Sequence, residues 1–66
     1  MTVRNVSVEL NDLGGVVRFE TEQGAFDSTF VKRSNCIVFG SGVDDARLSD
    51  ADFDAVAEVV NQAITN

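Results

Sequence analysis

Residues 3–10 alternate between apolar and polar side chains, and this alternation restricts the possible folds more than any other feature of the chain. Val6, Val8 and Leu10 fall on one side of an extended backbone, because successive side chains of a strand point to opposite faces. Residues 16–22 and 25–33 continue the alternation, and residues 36–40 form a short apolar run. Turn-forming residues separate these segments. The pattern predicts four strands.

The predicted strands can be tested against one another, because a two-residue hairpin loop determines which residues face each other across the pair. The expected pairs, from turns at Leu13-Gly14, Gln23-Gly24 and Ser34-Asn35, are Val8 with Phe19, Leu10 with Val17, Thr21 with Phe26, Val17 with Phe30, Phe30 with Phe39 and Lys32 with Ile37. These registers place the aromatic side chains on one face of the sheet. On the other face they set Glu9 opposite Arg18, an attractive cross-strand pair. We therefore expect an antiparallel β-meander.

Residues 50–65 repeat their apolar side chains at the helical period. The apolar stripe contains Phe53, Val56, Ala57, Val60, Ala63 and Ile64. Such a helix has its natural place across the aromatic face of the sheet. The predicted fold class is therefore α+β, with order β-β-β-β-α in two layers and the first and fourth strands at the edges. At 66 residues, the chain is expected to form one domain.

Charge and composition exclude several classes of function. Eleven acidic residues against five basic ones give a formal net charge of -6, which disfavours direct binding to nucleic acid or to anionic membrane. The chain has no histidine, the commonest general base and metal ligand, so we expect neither an enzyme nor a cofactor. The single cysteine, Cys36, and the lack of any apolar run of membrane-spanning length suit a reducing cytoplasm.

The segment VDDARLSDADFD, residues 43–54, concentrates five aspartates and raises the question of a metal site. Its last three aspartates match positions 1, 3 and 5 of an EF-hand loop, but Ala55 stands where that loop requires glycine and Asn61 where it requires glutamate. Helix capping explains more. Ser49 is a good N-cap with Asp52 at the N3 position, and acidic side chains in the first helical turn face the positive end of the helix dipole. We therefore expect no metal site.

Five acidic residues form the candidate partner-binding surface. Asp50, Asp54 and Glu58 follow one another at steps of four, which aligns them on one flank of the helix about 6 Å apart along its axis. Asp44 and Asp45 precede them in a predicted loop. Two interpretations stay open for this acidic strip. It is either a solvated helix face that keeps a small protein soluble, or a surface for a basic partner.

The face of the sheet opposite the helix has its own candidate interface. The expected registers bring together Val16, Val31 and Val38, next to Cys36, whose thiol we expect to be packed rather than reactive. This valine strip is either ordinary filling of a solvated sheet or an interface. The fourth strand, CIVFG, is an uncharged edge that invites pairing with a second copy or with a strand of a partner, so a homodimer is one expected outcome.

In general character the chain resembles the small acidic inhibitor proteins encoded by bacteriophages, including anti-CRISPR proteins. The segment DDARLSDADFDAVAE and the predicted strands before it carry the resemblance. It implies a binding protein that presents carboxylates where its target binds nucleic-acid phosphates.

We thus expect steric and electrostatic competition at a basic, nucleic-acid-binding site of a partner protein. Glu20, Glu22 and Asp27 could contribute to that acidic surface. The rival hypothesis is a structural or assembly protein that acts through the valine strip and the fourth strand. A third explains the acidity by a high-salt cytoplasm.

Overall fold

The computed structural model describes residues 3–34 and 36–65, and it confirms the α+β meander with a C-terminal helix. Four antiparallel strands lie in the order β1-β2-β3-β4 in one sheet, and two helices follow them. The elements are β1 (Arg4–Leu10), β2 (Gly14–Thr21), β3 (Gly24–Lys32), β4 (Ile37–Phe39), α1 (Ser41–Ala46) and α2 (Asp50–Thr65). The molecule is elongated, with extents of 31 × 17 × 17 Å. Within the described residues, no helix is long and apolar enough to cross a membrane.

The register between β3 and β4 is the expected one, with Phe30 opposite Phe39 and Lys32 opposite Ile37. This register was predicted from a turn at Ser34-Asn35, and Asn35 lies outside the described residues. The other two registers differ from the prediction by two residues. They place Val17 opposite Val8 and Ser28 opposite Val17. From Ser7 onward in β1, and throughout β2 and β3, a shift of two residues leaves the side chains on their predicted faces, because strand side chains repeat with period two. A bulge between Arg4 and Ser7 reverses the alternation before it, so Arg4 pairs with Glu20 and Val3 is buried in the core.

Side-chain hydrogen bonds account for the position of the two shifted turns. The Asn11 carboxamide oxygen accepts the N–H groups of Leu13 and Gly14, each at 3.0 Å, which closes the first turn around 12–13 rather than 13–14. The Thr21 hydroxyl oxygen accepts the Gln23 N–H at 3.1 Å and places the second turn around 22–23. Asn and Thr side chains favour such turns because they mimic a backbone acceptor.

Gly14, which the sequence predicts in a turn, belongs to β2, and so does Gly15. A Cβ atom on Gly14 would lie 2.1 Å from the Phe30 carbonyl oxygen, and one on Gly15 would lie 2.1 Å from the Glu9 carbonyl oxygen. Gly15 also has φ +157, a conformation that L side chains rarely adopt. These glycines therefore permit close approach of the neighbouring strands rather than a reversal of the chain.

The core lies between the aromatic face of the sheet and α2. Val17 and Phe19 from the sheet, with Val56 and Val60 from the helix, are its largest fully buried side chains. Ring contacts continue outward, ending in an edge-to-face contact of Phe53 with a sheet phenylalanine, Phe39, at 5.4 Å between centroids. The helix is rotated slightly from its predicted orientation. Phe53 is 37% exposed, whereas its neighbour Asp52 is buried.

The short helix α1 is absent from the prediction, which placed Asp44 and Asp45 in a loop. Val43 and Ala46 are its buried residues, and it packs beside β3. Its start is tied to the sheet, because the Gly40 N–H donates to the Thr29 carbonyl at 2.8 Å and the Ser28 hydroxyl donates to the Gly40 carbonyl at 3.3 Å. Helix α1 thus lies along the part of β3 that β4 leaves unpaired.

Candidate functional site: an acidic surface around the two helices

The start of α2 has the cap predicted from the sequence. The Ser49 hydroxyl oxygen accepts the Asp52 N–H at 3.2 Å, and the Phe53 N–H donates to the Ser49 carbonyl at 2.8 Å. Asp50 lies in the first turn, where the helix dipole favours a negative charge. Asp52 is only 5% exposed and therefore does not contribute to a partner-facing surface.

All five residues of the predicted acidic surface are exposed: Asp44, Asp45, Asp50, Asp54 and Glu58. None of their carboxylates forms an ion pair with a base within residues 3–34 and 36–65. Along α2, Glu58 accepts a long hydrogen bond of 3.5 Å from the Gln62 amide, and the last turn of the helix holds no basic residue. The carboxylates of this surface therefore have no direct ionic partner among the described residues.

Helix α1 directs its two aspartates toward different parts of the surface. Asp44 lines a groove with Arg47, Leu48, Asp50 and Phe53, so it joins the acidic flank of α2. Asp45 instead lines a separate groove with residues of β2 and β3. The predicted loop would have left both aspartates near the start of α2. The short helix spreads the acidic surface around one end of the molecule.

The groove that Asp45 lines has a volume of about 470 Å³ and brings in two of the additional acids proposed from the sequence. Glu20 and Asp27 both contribute to its wall, with Arg18 beside them. The Asn5 amide donates to the Glu20 carboxylate at 2.6 Å, and Asn5 itself adopts a left-handed conformation with φ 54. No sequence signal indicated this groove, because one of its walls is α1.

The Arg18 side chain binds Glu9 rather than the aspartate directly opposite it. Asp27 is the cross-strand partner of Arg18 in the register, but the guanidinium contacts the Glu9 carboxylate at 3.2 Å. The expected Glu9–Arg18 attraction thus exists, although as a diagonal contact, since Glu9 pairs directly with Val16. Both side chains are largely exposed, so this ion pair contributes little to stability.

Two of the five basic side chains lie near the opposite end of the molecule. Lys32 ends β3 and Arg33 follows it, and both line a groove with Ile64 and Thr65 from the C-terminal turn of α2. The β2–β3 turn, α1 and the start of α2 lie at the other end, where Glu22 lines a groove with Asp52. The pair Lys32 and Arg33 therefore lies at the end of the molecule away from the start of α2.

The valine strip on the open face is present, with differences in its parts. Val31 and Val38 are directly opposite each other and are 38% and 48% exposed. Val16 is half-buried and pairs with Thr29 rather than with a valine. Cys36 is exposed, so the expected packed thiol is wrong: the residue precedes β4 instead of lying within it.

Comparison with known proteins finds no matching family model, no similar curated protein and no similar solved structure. Among the described residues, no group of three or more histidine, cysteine, aspartate or glutamate side chains could hold a metal ion.

Proposed function

We propose that the protein is a non-enzymatic binding protein that presents its acidic end to a basic, nucleic-acid-binding site of a partner protein. The observation that carries the proposal is the exposure of all five carboxylates of the acidic surface without an ion pair to any described base. Carboxylates in this state attract lysine and arginine side chains arranged for phosphates, and they would exclude nucleic acid by competition.

The shape of the acidic end supports a partner surface larger than one helix face. Asp50, Asp54 and Glu58 lie on α2, while Asp45 extends the acidic surface toward Glu20 and Asp27 on the sheet. A basic cleft that normally holds a nucleic-acid strand could contact both sides of α1. An exposed acidic surface of this kind is what the resemblance to phage-encoded inhibitors implies.

The test is capture of a partner from lysate of the source cell by the wild-type protein and by the triple variant Asp50→Lys/Asp54→Lys/Glu58→Lys. We expect wild type to retain a nucleic-acid-binding protein that is eluted by salt and displaced by excess duplex DNA or RNA. The variant should retain none of it. Circular dichroism of the variant must first show the wild-type helical signal. Equal capture by the folded variant and by wild type would refute the proposal.

A second candidate function is supported by the exposed pair Val31 and Val38, of which Val38 belongs to the uncharged strand β4. In that case the protein is a structural or assembly subunit, and its acidity serves solubility. Binding should then survive high salt and fail on Val38→Glu, whereas the acidic-surface proposal predicts the opposite for both measurements.

A further inference from the structure

The β-sheet has two edges, and they differ in how they resist pairing with another chain. At the β1 edge, the register shifts between Arg4 and Ser7, Asn5 has φ 54, and the strand carries the charges of Arg4 and Glu9. Bulges and charges of this kind are the usual protection of an edge strand. The β4 edge, Ile37–Phe39, has neither a bulge nor a charged residue.

The hydrogen bonds that flank β4 show which of its backbone groups face β3. The Arg33 N–H donates to the Cys36 carbonyl at 2.8 Å, and the Gly40 N–H donates to the Thr29 carbonyl at 2.8 Å. Hydrogen-bonded and non-hydrogen-bonded pairs alternate along an antiparallel ladder. Residues 36, 38 and 40 therefore direct their backbone groups toward β3.

It follows that Ile37 and Phe39 direct their N–H and C=O groups away from the sheet. Both belong to the intervening pairs, opposite Lys32 and Phe30. No turn, loop or cap bond within the described part of the chain uses these groups. Two outward-facing residues separated by one valine form a short template that can accept another antiparallel strand.

We propose that this edge pairs with the same edge of a second copy, around a two-fold axis at Val38. Ile37 of each copy would then face Phe39 of the other, and the two pairs would exchange about four backbone hydrogen bonds. The two Val38 side chains would meet on the open face, where each is 48% exposed and lies beside Val31. The result is one continuous sheet of two copies.

Charge complementarity favours a second copy over an unrelated strand. One end of β4 adjoins the basic pair Lys32 and Arg33, and the other end leads through Gly40 into α1 with Asp44 and Asp45. Antiparallel pairing sets the basic end of each copy against the acidic end of the other. The two-fold axis thus creates opposite-charge contact twice, which offsets repulsion between two chains of net charge -6.

The contact is small, because each copy contributes a three-residue strand. Interfaces below about 1,200 Å² are those of weak and transient complexes, so the dimer should dissociate on dilution. Sedimentation equilibrium over about 10 μM to 1 mM, the range expected for a weak complex, should show the mass rise from the 7.1 kDa of one chain toward twice that value. The mass of one chain at all concentrations would overturn the inference.

Substitution at the two-fold axis separates edge pairing from other self-association. Val38→Lys places two like charges face to face and should raise the dimer dissociation constant by roughly tenfold or more. Ser7→Lys, the matched control, adds the same charge to the same face at the other edge of the sheet and should leave the constant unchanged. Equal effects of the two variants would contradict pairing through β4.

Cross-linking tests the register directly, in a Cys36→Ser background that removes the natural thiol. Facing residues of a non-hydrogen-bonded pair lie about 4.5 Å apart at Cα, within reach of a disulfide. Val38→Cys should therefore form covalent dimers on mild oxidation. Val31→Cys should not, because the two Val31 positions lie about 14 Å apart across three strand spacings. Cross-linking through position 31 but not 38 would refute the proposed axis.

This inference deepens the second candidate function and does not depend on the acidic-surface proposal. Failure of the dimer proposal can be distinguished from failure of the acidic-surface proposal, since the mass and cross-linking measurements use the purified protein alone. If Val38→Lys abolishes the dimer but leaves partner capture unchanged, the dimer and the acidic surface are two separate properties of the protein.

Discussion

At the scale of single residues, polar side chains set boundaries that apolar periodicity cannot. Ser49 starts α2 by accepting the Asp52 N–H, and Asn11 sets the first turn by accepting two backbone N–H groups. Each is a local bond to a group that the helix or strand leaves unsatisfied. The role of Ser49 was predictable because capping has a positional signature. The position of the first turn was not, because the glycines at 14 and 15 suggested a turn one residue later than the one that Asn11 closes.

Removal of the cap should measurably destabilise the protein. We expect Ser49→Ala to lower the free energy of unfolding by about 1 kcal/mol, because one N–H at the start of α2 loses its acceptor. Urea denaturation followed by circular dichroism measures the change. The matched control is Ser41→Ala at the start of α1, where no side-chain cap bond exists. Equal destabilisation by the two variants would contradict the capping role of Ser49.

Gly14 provides a second test at this scale. A Cβ atom there meets the Phe30 carbonyl oxygen at 2.1 Å, and backbone cannot move aside as a flexible side chain can. We expect Gly14→Ala to cost roughly 2 kcal/mol or more of unfolding free energy, through forced separation of β2 and β3. Thermal denaturation measures it. A near-neutral effect would show that the turn interpretation of Gly14 was the better one.

At the scale of elements, the sequence predicted which face of the sheet a side chain lies on more accurately than which residues pair across the strands. Alternation with period two assigns Val8, Val17 and Phe30 to the core face in either register, so a shift of two residues leaves the pattern unchanged. Helix α1 was missed because six residues are too few for a helical period to stand out. The stripe on α2 correctly located Val56 and Val60 but overestimated the burial of Phe53.

The orientation of α2 can be tested with two adjacent valines. Val60 is fully buried, whereas Val59 is only half-buried. We expect Val60→Ala to lower the free energy of unfolding by about 2 kcal/mol, since it leaves a cavity in the core, and Val59→Ala to cost clearly less. Urea denaturation of both variants gives the comparison. The reverse order of effects would mean that the helix is rotated from the described orientation.

At the scale of the whole molecule, the arrangement of charge could be predicted only in part. The exposure of Asp50, Asp54 and Glu58 followed from helical spacing. The separation of Asp44 from Asp45, and the groove that joins Asp45 to Asp27, depended on the packing of α1 against β3. Long-range placement of this kind has no local sequence signal.

Salt dependence of folding separates a functional acidic surface from an adaptation to a saline cytoplasm. The net charge is -6, and the core is formed by a cluster of buried apolar side chains from the sheet and both helices. We expect this core to keep the protein folded at about 10 mM salt, where surface charges are barely screened. Far-UV circular dichroism measured at that concentration and in molar salt provides the test. Unfolding at low salt, with recovery at high salt, would indicate that the acidic composition is an adaptation to a saline cytoplasm.

The most direct test of the acidic-surface proposal compares Asp54→Lys with Asp12→Lys in binding to the captured partner. Both aspartates are exposed and both substitutions change the net charge equally, but Asp54 lies on the acidic flank of α2 and Asp12 in the β1–β2 turn. Isothermal titration calorimetry at two salt concentrations should show weaker affinity for Asp54→Lys, with a shallower salt dependence, and near wild-type affinity for Asp12→Lys. Equal affinities for the two variants would contradict the proposal.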